Sequence, residues 1–243
     1  MLGIPLFILL KMSHRIYLAH RGSWHGHAIE NTIEAFEHTK KRLSNHLHGF
    51  ECDLQQLDHN NPHSWVIFHD KTMDRFNKTQ SSITPQVPLI SNQTTSKMPT
   101  LKAFTEWIKS LTQPIIINIE IKHGTKNGLN TLIRQLSTAN AHQRVTFIYS
   151  SFDKEVMKYL SSTKQCVSYL IKEMNDFKRL NITDQTNVQF IGIRYDHATP
   201  LIFNQLKEKN LSAGIYFKDR DQCIAHIQSV ANNGIVTCIF IED

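Results

Sequence analysis

Two carboxylates stand two residues apart in Glu51-x-Asp53, among the apolar Phe50, Cys52 and Leu54. Two histidines each precede a charged residue, in His20-Arg21 and His69-Asp70. Side chains alternate across a strand, so Glu51 and Asp53 share one face. Like charges so placed repel unless something positive lies between them, and a hard divalent cation with oxygen ligands is the usual answer. A second polar row runs through Ile115–Lys122, where Asn118, Glu120 and Lys122 share a face and isoleucine fills the other. Burying such a row costs on the order of several kcal/mol per uncompensated charge unless it lines a site.

The elements that must position these groups alternate short apolar runs with amphipathic stretches. Strands are expected at Ile16–His20, Gly49–Leu54, Trp65–His69, Ile115–Ile121, Val145–Tyr149, Val167–Ile171, Phe190–Ile193, Ala213–Phe217 and Ile235–Ile241. Asn31 with Glu34 reads as a capping box opening a helix that carries Ile33, Phe36 and Leu43. Leu101, Phe104, Ile108 and Leu111 recur at helical spacing. Thr199-Pro200 reads as N-cap and first turn, with Leu201 and Leu206 inward. Asp221 opens a last helix that Asn233-Gly234 ends.

Strand–helix repetition predicts a parallel sheet covered by helices. Roughly eight such units favour an α/β (β/α)₈ TIM barrel over a doubly wound sheet. Polar residues at several strand ends (His20, Asp53, His69, Glu120, Ser150, Arg194) favour it too, because a barrel gathers strand ends into one ring. No G-x-G-x-x-G follows the first strand, which counts against a dinucleotide fold. Two irregularities are expected: no helix between the second and third strands, and a polar loop or small lid over Lys71–Lys97 after the third.

The chain has 243 residues, 40% hydrophobic and 20% charged, which suits one large globular domain. Residues 1–12 read as a disordered extension, with Met12 as an alternative start, and 13–243 as a single barrel domain. The net charge is +6, but no Lys/Arg block or aromatic-basic interleaving marks a nucleic-acid partner. Cys52, Cys166, Cys223 and Cys238 are scattered without a C-x-x-C pair. They read as small buried hydrophobes in a reducing, cytoplasmic setting. The apolar start is too short to span a bilayer, and no stable membrane association is expected.

The ordered set His20-Arg21-Gly22, Glu30-Asn31-Thr32…Ala35-Phe36, Glu51-x-Asp53, His69-Asp70…Asp74-Arg75, Pro99-Thr100-Leu101, Glu120-x-Lys122 and Ser150-Ser151-Phe152 closely resembles the glycerophosphodiester phosphodiesterase family. The resemblance spans nearly the whole chain from His20 and is dense up to Phe152. It implies a (β/α)₈ barrel that hydrolyses glycerophosphodiesters, releasing glycerol 3-phosphate and an alcohol. It further implies that Glu51, Asp53 and Glu120 hold one divalent cation, Mg²⁺ or Ca²⁺. His20 and His69 are then the acid–base pair, and Arg21 and Lys122 contact phosphate. Asn31, Asp70 and Tyr216 are candidate supporting residues.

The chemistry asks for those residue types independently. A phosphodiester monoanion resists attack, so charge must be neutralised on its oxygens and the leaving alkoxide protonated. Arg clamps phosphate bidentately and Lys adds a point charge; imidazoles titrate near neutrality and move protons. Plainer readings stand beside these. Glu120 and Lys122 could simply bridge each other, Asn31 could be only an N-cap, and Asp70 could cap a loop. His25-x-His27 reads as a solvated loop before a second metal site.

The chain departs from the family pattern at three places. Ile29 stands where the family has proline. Tyr216-Phe217-Lys218-Asp219 stands where Trp-Thr-Val-Asn is usual, and the terminal pattern is reduced to Thr237–Glu242. The alternatives are a phospholipase-D-like enzyme acting on lysophospholipids or sphingolipids, and a non-catalytic phosphopolyol-binding barrel. The second would be expected to lack a histidine or a carboxylate, and every candidate is present.

Overall fold

Among the described residues, isoleucine, valine and phenylalanine runs form nine strands: β1 (Ile16–Ala19), β2 (Gly49–Gln56), β3 (Trp65–Ile67), β4 (Ile115–His123), β5 (Val145–Ser151), β6 (Val167–Ile171), β7 (Val188–Arg194), β8 (Ser212–Tyr216) and β9 (Val236–Ile241). The computed structural model describes residues 15–23, 28–44, 47–70, 98–173, 176–177, 188–216 and 236–241. Eight strands pair in parallel in the order β1-β9-β8-β7-β6-β5-β4-β2, and β1 pairs with β2 to close the ring. This is the (β/α)₈ barrel that the strand–helix alternation predicts. β3 is not a stave: it runs antiparallel to the far end of β2, pairing Leu54 with Ile67 and Gln56 with Trp65. The short connection allows only a hairpin there, since a parallel return needs a crossover of a dozen or more residues.

The helices are α1 (Ile33–Lys40), α2 (Leu101–Lys109), α3 (Lys126–Ala139), α4 (Lys154–Ser161) and α5 (Pro200–Glu208). Each begins at a side chain that accepts a backbone N–H: Thr32, Thr100, Thr125, Asp153 and Thr199. Such a cap contributes about 1 kcal/mol. No helix among the described residues is long and apolar enough to cross a membrane.

Two apolar layers hold the barrel. Outside, Phe36 of α1 stacks on Phe50 of β2 at 4.3 Å between centroids, and Phe104 and Trp107 of α2 close over both. These rings pin the strand that carries Glu51 and Asp53. Inside, Leu18, Ile116, Ile148, Phe190 and Phe240 form a buried plug. The inward row Ile116, Asn118, Glu120, Lys122 therefore changes from apolar to polar on moving toward the C-terminal ends of the strands. Gly49 permits the close approach of β2 to β4, because a Cβ there would lie 1.7 Å from the Ile116 carbonyl oxygen.

Two expectations need correction. Asn31 does not cap α1; Thr32 does, accepting from the Ala35 N–H. Leu201 is 60% exposed rather than inward, while Leu206 is buried; the helix turns its second residue away from the sheet. Of the expected cysteine hydrophobes, Cys52 is buried and Cys166 only partly so, and both are free thiols. The N-terminal extension, His25 and His27, the Lys71–Lys97 segment, Phe217–Asp219 and the Asp221 helix lie outside the described residues.

Candidate active site

β2 and β4 run side by side in a register that sets Glu51 against Asn118 and Asp53 against Glu120. With inward faces aligned, carboxylate oxygens of Glu51, Asp53 and Glu120 all lie within 4.8 Å of one another, and all three residues are buried. Pairing of β2 with β4 then skips from Leu54–Ile121 to Gln55–His123, leaving Lys122 as the extra residue of a β-bulge. Bulges re-aim side chains beside active sites. Here the Lys122 ammonium lies 2.8 Å from Asp53 Oδ1 and also donates to Glu120.

The turn after β1 supplies the next groups. His20–Gly22 forms a 3-10 turn in which Arg21 has φ 52° and Gly22 φ 69°. A side chain on Gly22 would strike the Phe36 ring, 2.4 Å from a Cβ built there. The turn directs the Arg21 N–H to Glu51 Oε2 at 2.9 Å and sets His20 Nε2 3.6 Å from the same oxygen. The Arg21 guanidinium reaches Glu30 at 2.9 Å and stands 3.6 Å from Asp53 Oδ2. Asn31, itself at φ 59°, is nearly fully buried. Its amide donates to Asp53 Oδ2 at 2.7 Å and its carbonyl accepts the Asp53 N–H at 3.0 Å. Asn31 therefore holds Asp53 and does not cap the helix.

His69 follows β3, with Nδ1 2.7 Å from Asp70 Oδ1. Its backbone is held by Gln55, whose Nε2 donates to the Phe68 carbonyl at 2.9 Å and the Asp70 carbonyl at 3.1 Å. Gln55 was not among the sequence-derived candidates. Its signal is its position, two residues past Asp53 on a strand that is buried throughout.

These groups open into a cavity of about 220 Å³ lined by His20, Arg21, Glu51, His69, Asn118, Glu120 and Lys122 on one side. Phe152, Leu170, Arg194, Tyr216 and Phe240 line the other. Tyr216 donates its hydroxyl to the Ile171 carbonyl at 3.2 Å and meets Phe152 edge-on at 6.3 Å. The Asn118 amide donates to Ser150 at 2.9 Å, while its carbonyl oxygen is buried without a hydrogen bond.

The electrostatics are those of a site built for added positive charge. Burial, then repulsion from Asp53, pushes the Glu51 carboxyl up to about 8. Burial and Asp53 also raise Glu120, against the pull of Lys122. Burial works the other way on Asp53 but loses to Lys122, His69 and Arg21, which hold its pKa below the usual carboxylate value. Burial opposes the charges of Lys122 and Arg21, and the adjacent carboxylates outweigh it in both. Glu51 Oε1 is buried and accepts no hydrogen bond. A divalent cation suits this oxygen-only set, because it supplies the charge that three crowded carboxylates lack.

No protein-family model and no curated protein matches the sequence. Solved structures do match. A candidate glycerophosphodiester phosphodiesterase from Galdieria sulphuraria superposes with a TM-score of 0.70 at 17% identity, covering 93% of each chain. A glycerophosphodiester phosphodiesterase from Parabacteroides distasonis gives 0.66 at 17%, over 93% of this chain and 92% of its own. An Oleispira antarctica phosphodiesterase, solved with its product sn-glycerol-3-phosphate, gives 0.63 at 18%, over 93% and 92%. The chain has the fold of these phosphodiesterases. Coverage above nine-tenths on both sides means that the likeness extends over the whole barrel.

Proposed function

We propose that the protein is a metal-dependent glycerophosphodiester phosphodiesterase that releases glycerol 3-phosphate and an alcohol. The observation that carries this reading is the convergence of Glu51, Asp53 and Glu120 at a cavity that Glu51 and Glu120 line together with His20, His69, Arg21 and Lys122. The fold shared with solved phosphodiesterases, one of them holding sn-glycerol-3-phosphate, supports it. Glu51, Asp53 and Glu120 would hold one divalent cation, Mg²⁺ or Ca²⁺, which when bound polarises a phosphoryl oxygen.

The protein's own groups do the rest. Arg21 and Lys122 neutralise the phosphoryl oxygens as charge builds on them. With Nδ1–H donated to Asp70, His69 keeps its lone pair on Nε2 and takes the proton of the attacking oxygen, that of water or of the neighbouring glycerol hydroxyl, whose cyclic phosphate water then opens to glycerol 3-phosphate. His20, with Nε2 3.6 Å from Glu51 Oε2, gives a proton to the leaving alkoxide as the phosphorus–oxygen bond breaks. Each such proton transfer is worth on the order of 10²–10⁴ in rate. The free thiols of Cys52 and Cys166 support a cytoplasmic location.

Phosphorus NMR of glycerophosphoglycerol and lysophosphatidylcholine digests tests the reaction. Glycerol 3-phosphate from the first, with the second left intact, is the expected result. Lysophosphatidic acid from the second would point instead to the phospholipase-D-like enzyme. No cleavage of either with Mg²⁺ or Ca²⁺ present would refute the proposal.

A further inference from the structure

The reaction consumes one end of the cavity, and the opposite wall must meet the departing alcohol. That wall carries one cation, Arg194, at the C-terminal end of β7. Its Nε donates to Asp196 at 2.6 Å and its Nη2 lies 3.0 Å from His197 Nε2. Nη1 has no partner among the described residues, and Asp196 does not line the cavity. Among the described lining residues the acids are Glu51 and Glu120, both in the carboxylate cluster. Among the described residues, no carboxylate is therefore left on this wall to greet a positive headgroup.

Of the three rings on this wall, Phe152 points the same way. A quaternary ammonium is held by open aromatic faces. Here the Lys172 ammonium already lies over the Phe152 ring, 5.2 Å from its centroid. Lys172 belongs to an adjoining cavity of about 220 Å³ that shares Phe152 and Leu170 with the first. Besides Lys172, that annex is lined by one cation, Lys154, and two carboxylates, Asp153 and Asp176. Asp153 is committed to capping α4, and Asp176 Oδ2 accepts the Lys172 N–H at 3.4 Å.

We infer that Arg194 sets the specificity of the leaving-group end, selecting phosphodiesters whose alcohol is anionic or neutral and rejecting those whose alcohol is a quaternary ammonium. The inference rests on the phosphodiesterase reading. The guanidinium is partly exposed, so its effect is a screened, salt-dependent preference and not an absolute gate. A tenfold discrimination is within reach of one charged contact.

The test compares kcat/KM for three probes, glycerophosphoinositol 4-phosphate, glycerophosphoinositol and glycerophosphocholine, with saturating Mg²⁺ or Ca²⁺. The expected order is the one written, with the first at least about tenfold above the last and the ratio shrinking as salt is raised. Arg194→Gln should collapse the ratio toward unity, and Arg194→Lys should keep the order. Glycerophosphocholine cleaved as well as the phosphorylated probe, or an unchanged ratio in Arg194→Gln, would overturn the inference and leave the phosphodiesterase reading standing. Turnover of none of the three would overturn both.

Discussion

Asn31 and Asp53 exchange two hydrogen bonds, amide to carboxylate at 2.7 Å and backbone N–H to amide carbonyl at 3.0 Å. One side chain from the loop before α1 thus fixes both the backbone and the carboxylate of the central acidic residue on β2. Groups that orient metal-ligating carboxylates typically contribute 10–100-fold in affinity or activity. Asn31→Ala should therefore weaken cation binding at least about tenfold by isothermal titration. It also places a Cβ-bearing residue without a compensating side chain at φ 59°, which costs roughly 1–2 kcal/mol. Unchanged cation affinity in a folded variant would remove Asn31 from the site.

His20→Ala and His69→Ala should each lower turnover by about 10² or more. Both imidazoles line the cavity and are partly exposed, outside the apolar core, so melting temperatures should barely move. Activity close to wild type in either variant would reassign the proton transfers.

Gln55→Met keeps the volume and removes the two hydrogen bonds that bracket His69. Two backbone carbonyls then lose this donor, at about 1 kcal/mol for each hydrogen bond. The variant should fall in kcat more than it rises in KM, because the imidazole is displaced while the phosphate contacts remain. Gln55→Glu, which keeps the shape and loses the donor, should behave alike. A pure KM effect would contradict a positioning role.

Without a cation, stability should fall with rising pH. The folded protein holds the Glu51 proton up to about 8, whereas the unfolded chain releases it near the ordinary value of 4.5. Between those values the folded state binds more protons, so each step up in pH favours unfolding. The melting temperature of chelated protein should decline from about pH 5 to about pH 8, and a bound cation should offset the decline. Cation binding near pH 6 should release about one proton from this carboxyl. A chelated protein that gains stability over the same window would show that Glu51 is already ionised.

Much of this site was legible because strand alternation is a strict rule. Glu51-x-Asp53 and Asn118-x-Glu120-x-Lys122 announce shared faces, and the β2–β4 register brings those faces together. The capping reading of Asn31 failed, while its reading as a supporting residue agrees with its bonds to Asp53, because a capping pattern reports local spacing and nothing local reveals a left-handed backbone or a partner on β2. Gln55 escaped notice because its role depends on the hairpin with β3, which brings the His69 segment back beside β2. Arg194 was visible as a polar strand end, but its place opposite the carboxylates depends on closure of the ring.

The most direct test of the account is a titration of Mg²⁺ or Ca²⁺ into the chelator-stripped protein while glycerol 3-phosphate release is followed. Saturable activation with one cation per chain, lost in Glu51→Gln, Asp53→Asn and Glu120→Gln, is the predicted result. Full turnover in the stripped protein, or activation that survives all three substitutions, would contradict it.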